Sequence, residues 1–184
     1  DMEMGDGHTV RWASEFLARE QEKPFFLAVG LFQPHLPFYA PKKYFDKLPL
    51  ENVELPINKP GDLDDIPPGG QEMAAHRRKD LRMIEQHDDL RRCLQSYLAG
   101  IAHADALIGI LMDAFDKSAY HNNTIIVLWS DHGYAFGEKD HFAKNTFNAL
   151  VECRSVRCAT LTPPAWTPYN HTNSCEACGN DFVW

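Results

Sequence analysis

The sequence predicts an α/β fold in which a mainly parallel sheet is flanked by helices. Two apolar runs, Ile125–Trp129 and residues 25–32, have the length and composition of strands that are buried on both faces. Apolar residues at three- and four-residue steps predict one helix before residues 25–32 and a longer helix between the two runs. Helices that alternate with such strands are typical of this fold class.

The first helix is predicted over residues 9–21, with Thr9 or His8 near its N-terminal cap. Lys23-Pro24 ends it, because a proline biases the residue before it away from the helical conformation. The apolar face of this helix consists of Val10, Trp12, Ala13, Phe16 and Leu17.

The first predicted strand leads into a proline-rich loop, residues 33–41, which carries His35. Three prolines exclude a helix there and stiffen the loop. A functional histidine needs such a rigid support, but a surface histidine in a proline-rich turn would leave the same pattern. From the residues alone, both interpretations of His35 remain open.

Residues 42–79 are predicted to be a long irregular excursion that begins with a short helix at 41–48. The excursion carries an acidic cluster that could suggest a calcium site. EF-hand spacing does not follow it, so a solvated turn is favoured. The cluster is Asp62, Asp64 and Asp65.

The longest helical pattern covers residues 79–118, and its charged first part is compatible with a separate short helix. The second part, at about 91–117, is expected to pack on the sheet. His103 and Asp105 fall within it, and we expect a histidine at the edge of the core and a carboxylate on the helix surface.

The second predicted strand stops at Asp131-His132, and Lys144 follows a short glycine-containing loop. Ligands of open parallel sheets bind beyond the carboxyl ends of the strands. A carboxylate and an imidazole side by side at such an end suit a metal ion. The alternative is a strand that ends in a turn capped by Asp131.

Composition limits the classes of partner. The net charge of −8 argues against nucleic acid, which requires a basic face. No run reaches about 18 apolar residues, so we expect no membrane span. We divide the chain into a domain at 1–150 and an irregular, cysteine-rich tail at 151–184. The oligomeric state is left open.

Four of the five cysteines lie near the C-terminus, in the spacing C-x4-C-x16-C-x2-C. This spacing could form a structural zinc site, but the first gap departs from the usual two residues. Free thiols or one disulfide are the alternative. The four residues are Cys153, Cys158, Cys175 and Cys178.

Several motifs together resemble the sulfatase family, and within it the iduronate-2-sulfatase-like branch. They are Lys-Pro-Phe-Phe-Leu-Ala-Val-Gly at 23–30, Pro-His-Leu-Pro-Phe at 34–38, Pro-Lys-Lys-Tyr at 41–44, and the stretch from Asn123 through Ser-Asp-His-Gly and Gly-Glu-Lys to Lys144. They occur in the order and with the gaps of the family, over about residues 1–150.

The resemblance implies a partial alkaline-phosphatase-like fold and hydrolysis of sulfate esters of sugars or polysaccharides, by a periplasmic or secreted enzyme. It implies Ca²⁺ as the cofactor, with Asp131 and His132 as two ligands. His35 corresponds to the residue that contacts the sulfate and assists proton transfer, and Lys144 corresponds to the lysine that binds the sulfate oxygens. Tyr134 and His141 flank this loop and are expected to contact the sugar.

The chain also departs from the family. It contains no Cys/Ser-x-Pro-x-Arg motif, from which the family makes its formylglycine nucleophile, and no paired aspartates on a first strand. We therefore expect a sulfatase fragment that is inactive by itself. Two alternatives remain: a phosphomonoesterase or phosphonate hydrolase of the same superfamily, and a non-enzymatic module whose tail cysteines bind zinc.

Overall fold

The computed structural model describes residues 1–130, 132–144 and 156–160. Four helices and four short strands make up this part of the chain, with two short 3-10 turns at Leu50–Asn52 and Glu138–Asp140. The helices are α1 (Gly5–Leu17), α2 (Lys42–Asp46), α3 (Pro68–Gln86) and α4 (Leu90–Asp116), and the strands are β1 (Ile125–Trp129), β2 (Ala135–Phe136), β3 (Phe142–Ala143) and β4 (Val156–Thr160).

Helix α1 begins four residues before its predicted start. Met4 is the N-cap and provides no side-chain hydrogen bond, so the prediction of a cap at Thr9 or His8 is wrong. Asp6 lies in the first turn, where a negative charge is favourable, and its carboxylate accepts hydrogen bonds from Phe32 N–H and Gln33 N–H, each at 2.9 Å. Asp6 thus fixes the start of the proline-rich loop.

Helix α4 is the centre of the described structure and packs against both α1 and α2. Gly100 permits a close approach to the proline-rich loop, because a Cβ at this position would lie 3.1 Å from Pro34 Cβ. Among the described helices, α4 has the length and apolar composition that would allow a membrane span. Core helices share both properties, and α4 buries Leu94, Ala99, Leu107 and Phe115 within the protein.

The excursion is more regular than predicted. Helix α3 occupies residues 68–86, so the prediction of irregular structure is wrong over 68–79. Proline suits the first turn of a helix because its missing N–H would have no partner there, and here Pro68 begins α3. The separate charged helix expected before α4 is present, and Asp88, with φ of 53°, lies at the break. The short helix predicted at 41–48 is α2.

The described strands pair in antiparallel register, and the predicted parallel sheet is not seen among them. β1 pairs with β4 in antiparallel register, from Ile125 opposite Thr160 to Trp129 opposite Val156. β1 is not buried on both faces, since Trp129 is 64% exposed. Residues 25–32 form no strand, and their side chains alternate between half-buried and exposed. A parallel strand is buried by helices and neighbouring strands on both sides, and the described residues do not provide them.

An apolar cluster lies between α3, α4 and the β2–β3 pair. Its buried members are Val53, Leu81, Leu94, Phe136 and Phe142. Phe38 and Tyr134 pack against it from the two segments that carry the predicted site residues. The core therefore supports the candidate site directly.

Candidate functional site

Two predicted site residues, His35 and Lys144, meet in the structure. Lys144 Nζ lies 2.8 Å from His35 Nε2, although the residues are 109 positions apart in the sequence. Both side chains are half-buried. An ammonium group with further N–H donors, held beside an imidazole, is suited to bind an anion.

The hydrogen bonds define the tautomer of His35. A lysine ammonium has three donors and no acceptor, so Nε2 of His35 must accept the hydrogen bond from Lys144. Nδ1 then carries the ring proton and donates a hydrogen bond to the carbonyl oxygen of Leu36. The neutral imidazole therefore presents its lone pair, and not a proton, to the Lys144 ammonium.

The proline-rich loop holds His35 in place through its backbone. The prolines at 34 and 37 both follow cis peptide bonds. His35 N–H donates to Phe32 C=O at 2.9 Å, and the His35 ring lies 4.7 Å from the Phe32 ring. The backbone and the ring of His35 are thus both in contact with Phe32, and the rigidity of this support stays a prediction.

A short β-hairpin delivers Lys144. β2 pairs with β3 so that Ala135 faces Ala143 and Phe136 faces Phe142. Gly137 N–H donates to His141 C=O at 2.8 Å and closes the turn. Lys144 follows β3 immediately, so its position depends on the position of this hairpin.

Tyr134 stands at the other end of the hairpin and contacts the same loop. Its ring lies 5.5 Å from Phe38 and 5.2 Å from Tyr97. Burial raises the pKa of Tyr134, and a hydrogen bond from the backbone of Leu36 acts in the opposite direction. In this structure Tyr134 joins the two site segments; contact with a sugar stays a prediction.

His141 is 2% exposed and lies within the hairpin. Its Nδ1 bonds to the carbonyl oxygen of Lys139, which places the ring on the inner side of the turn. Contact with a sugar would require the hairpin to open, and this role also stays a prediction.

The predicted metal ligands are incompletely described. Asp131 lies outside the described residues. His132 directs Nδ1 toward the carbonyl oxygen of Gly133 at 2.9 Å. Ca²⁺ takes about six to eight oxygen ligands, and the described residues hold no group of three or more His, Cys, Asp or Glu side chains that could bind a metal. They do not by themselves fit a calcium site. Of the four tail cysteines, Cys153, Cys175 and Cys178 lie outside the described residues, and Cys158 is in β4.

Sequence reasoning missed the contact of Lys139 with the acidic cluster of the excursion. Lys139 Nζ lies 3.0 Å from an oxygen of the Asp62 carboxylate, 77 positions earlier. Opposite charges on two loops were the available signal, but sequence spacing cannot tell which distant loops meet.

The chain is similar to known sulfatases over most of its length. The family profile described as "Sulfatase" matches residues 3–153. The chain is 41% identical to a protein named "Sulfatase" of Formosa agariphila over 151 residues, 37% identical to human "Iduronate 2-sulfatase" over 131 residues, and 32% identical to "Arylsulfatase" of Clostridium perfringens over 145 residues.

These alignments cover 79%, 66% and 74% of this chain, respectively. They cover 29%, 24% and 29% of the three relatives, so the chain spans less than a third of their length. The family predicted from the motifs is confirmed. The chain belongs to the sulfatase family.

Proposed function

We propose that this chain forms the sulfate-binding part of a sulfuric ester hydrolase. The observation that carries the proposal is the 2.8 Å contact between Lys144 Nζ and His35 Nε2. Lys144 retains two N–H groups beyond the one that it donates to His35, and these can bind sulfate oxygens.

The chemistry of sulfate transfer suits this pair. Negative charge is spread over the sulfuryl oxygens in the transition state, and a fixed ammonium in a partly dry site stabilises it. His35 is held beside the same oxygens. After a proton reaches its Nε2, it can donate a hydrogen bond to the ester oxygen.

For the substrate we propose sulfated sugars or polysaccharides, as for iduronate-2-sulfatase-like enzymes. The 37% identity to the human protein of that name supports this choice. We further propose a periplasmic or secreted enzyme, and Ca²⁺ as its cofactor with Asp131 and His132 among the ligands. Fractionation of the source cells, followed by detection of the chain with an antibody, tests the location.

Sulfate binding tests the proposal directly. Inorganic sulfate titrated into the purified chain is expected to shift the side-chain NMR signals of His35 and Lys144. Lys144→Met should weaken this binding by about tenfold or more, since hydrogen bonds to charged groups are strong. Lys79→Met, the same change at an exposed site on α3, should leave it unchanged. Wild-type chain that binds no sulfate, or binds it equally well without Lys144, would contradict the proposal.

Turnover separates the remaining possibilities. We expect no hydrolysis of 4-nitrophenyl sulfate by these 184 residues, because the nucleophile motif is absent from them. Hydrolysis of 4-nitrophenyl phosphate in preference to the sulfate would favour the phosphomonoesterase alternative. A zinc ion bound tightly by the chain, and lost when Cys175 and Cys178 are changed to Ser, would favour the zinc module.

A further inference from the structure

We propose that residues 53–66, which we call the strap, hold the β2–β3 hairpin in place, and that Asp62 and Lys139 are positioning residues for Lys144. The inference rests on the proposed function, because it concerns how the sulfate-binding pair is assembled. It assigns a role to an acidic cluster that sequence analysis interpreted as a solvated turn.

The hairpin tip is bound to the strap by several hydrogen bonds to one lysine. Lys139 Nζ donates to the Asp62 carbonyl oxygen at 2.6 Å and to its carboxylate at 3.0 Å, and Lys139 N–H donates to the second carboxylate oxygen at 3.3 Å. Asp65 adds a second carboxylate 3.3 Å from Nζ. The Lys139 and Asp62 side chains are both about three-quarters buried, at 26% and 24% exposed.

The turn itself is shaped to receive the strap. Gly137 has φ of 120°, a conformation that favours glycine. A Cβ at this position would also lie 2.0 Å from Asn58 Nδ2. The strap therefore contacts the backbone of the turn through the Asn58 side chain, and a Cβ at position 137 would displace that side chain.

Both ends of the strap are fixed to the helices. Val53 is buried in the apolar cluster, and its carbonyl oxygen accepts a hydrogen bond from Arg91 of α4. Leu63 is also buried, and Gln71 of α3 donates from Nε2 to the carbonyl oxygens of Leu63 at 3.1 Å and Ile66 at 2.9 Å. A loop that is fixed at two points can hold another loop against the protein.

The hairpin transmits this restraint to the site because both of its ends contact the proline-rich loop. The Tyr134 ring, before β2, lies 5.5 Å from the ring of Phe38 in that loop, and Lys144, after β3, bonds to His35. The strap holds the tip between these two ends. Release of the tip would let the hairpin pivot, and Lys144 would lose its fixed distance from His35.

The test compares Asp62→Asn with Asp46→Asn in the full 184-residue chain. Asp46 pairs with Lys42 on exposed α2 and is the matched control. Asp62→Asn should weaken binding of inorganic sulfate by about two- to fivefold, the range expected for a partly exposed ion pair. It should also move the His35 Nε2 nitrogen resonance toward that of Lys144→Met. Asp46→Asn should do neither.

Charge reversal distinguishes positioning from general damage to the fold. Asp62→Lys combined with Lys139→Asp should restore both the sulfate affinity and the His35 resonance, since aspartate tolerates the positive φ of position 139. A His35 resonance that is unchanged in Asp62→Asn would overturn the strap proposal, even where sulfate still binds. A His35 resonance shift in Asp62→Asn, together with wild-type chain that binds no sulfate, would overturn the proposed function and leave the strap proposal standing.

Discussion

Lys144 donates a hydrogen bond to Nε2 of His35, and His35 in turn donates from Nδ1 to the carbonyl oxygen of Leu36. Lys144 thus determines which ring nitrogen of His35, a residue 109 positions away in the sequence, carries the proton. An anion that draws the ammonium away would free Nε2, which could then take up a proton from water and donate it to a leaving oxygen.

The tautomer of His35 is directly measurable. In wild-type chain at pH 8, nitrogen NMR should show a protonated Nδ1 and an accepting Nε2. Lys144→Met removes the donor, and the Nε2–H form should then become populated, because this form is slightly preferred by free imidazole side chains. A spectrum that does not differ between wild type and Lys144→Met would show that the two side chains are not in contact.

The contact of Lys139 with Asp62 should hold over a defined pH range. Its hydrogen bonds lower the pKa of Asp62 below 3.8 and raise the pKa of Lys139 above 10.5. The stabilisation is therefore complete from about pH 4 to about pH 10. It is lost as pH falls through the lowered pKa of Asp62, and again as pH rises through the raised pKa of Lys139.

The Lys139 amide signal reports the acid side of this range, since the amide donates to the Asp62 carboxylate. It should titrate with a midpoint below 3.8 in wild type and show no such step in Asp62→Asn. A midpoint at or above 3.8 would contradict the pairing.

Gly137→Ala should destabilise the protein, for two reasons. The alanine would be held at φ of 120°, and its Cβ would collide with Asn58. We expect a loss of about 1–3 kcal/mol in the free energy of unfolding, measured by urea denaturation. Gly109→Ala, in the interior of α4 with open space around it, should instead stabilise by about 0.5–1 kcal/mol. Equal effects of the two substitutions would refute the assigned geometry.

His103 makes the stability depend on pH. The side chain is fully buried, neither ring nitrogen has a hydrogen-bond partner, and burial lowers its pKa from 6.5. The unfolded chain therefore binds a proton more readily than the folded chain does. Stability should fall as pH decreases from above 6.5 toward the lowered pKa.

His103→Leu should flatten this dependence and raise Tm more at pH 5 than at pH 8, because an unpaired buried polar group is removed. His8→Leu, at an exposed position of α1, is the matched control and should leave the slope unchanged. An identical slope in wild type and His103→Leu would show that His103 is not the group responsible.

Exposed apolar residues on β1 should promote self-association. Ile125, Val127, Leu128 and Trp129 are each at least half exposed, and an exposed apolar strand is a template for pairing with another chain. Val127→Thr should lower the aggregated fraction seen by light scattering while preserving β propensity. Ile57→Thr removes an even more exposed side chain from the strap, away from β1, and should have a smaller effect.

The sequence predicts local features of this protein better than the pairing of its strands. Proline spacing around His35 and the helical periods of α1 and α4 are local, and the structure has them. Burial of β1 and of residues 25–32 depends on neighbours that no local pattern reveals. Here four of the five β1 residues are exposed, and half of residues 25–32 are exposed.

The candidate site shows the same difference between local features and contacts across the chain. Motif order indicated that His35 and Lys144 share a site, and their contact supports this. The hydrogen-bonded contact between Lys139 and Asp62 could not be predicted, because it depends on how two loops 77 residues apart fold toward each other.

The Asp6 carboxylate has a consequence for how this chain can join another. A strand that adds to an extended segment needs free backbone donors along the edge. At Phe32 and Gln33 those donors are already taken by one side chain. Any added strand along residues 25–31 must therefore stop before Phe32, and the loop that carries His35 is kept out of the ladder. One acidic residue on α1 sets the boundary between surface that can be covered by a neighbouring strand and surface that remains accessible to a ligand.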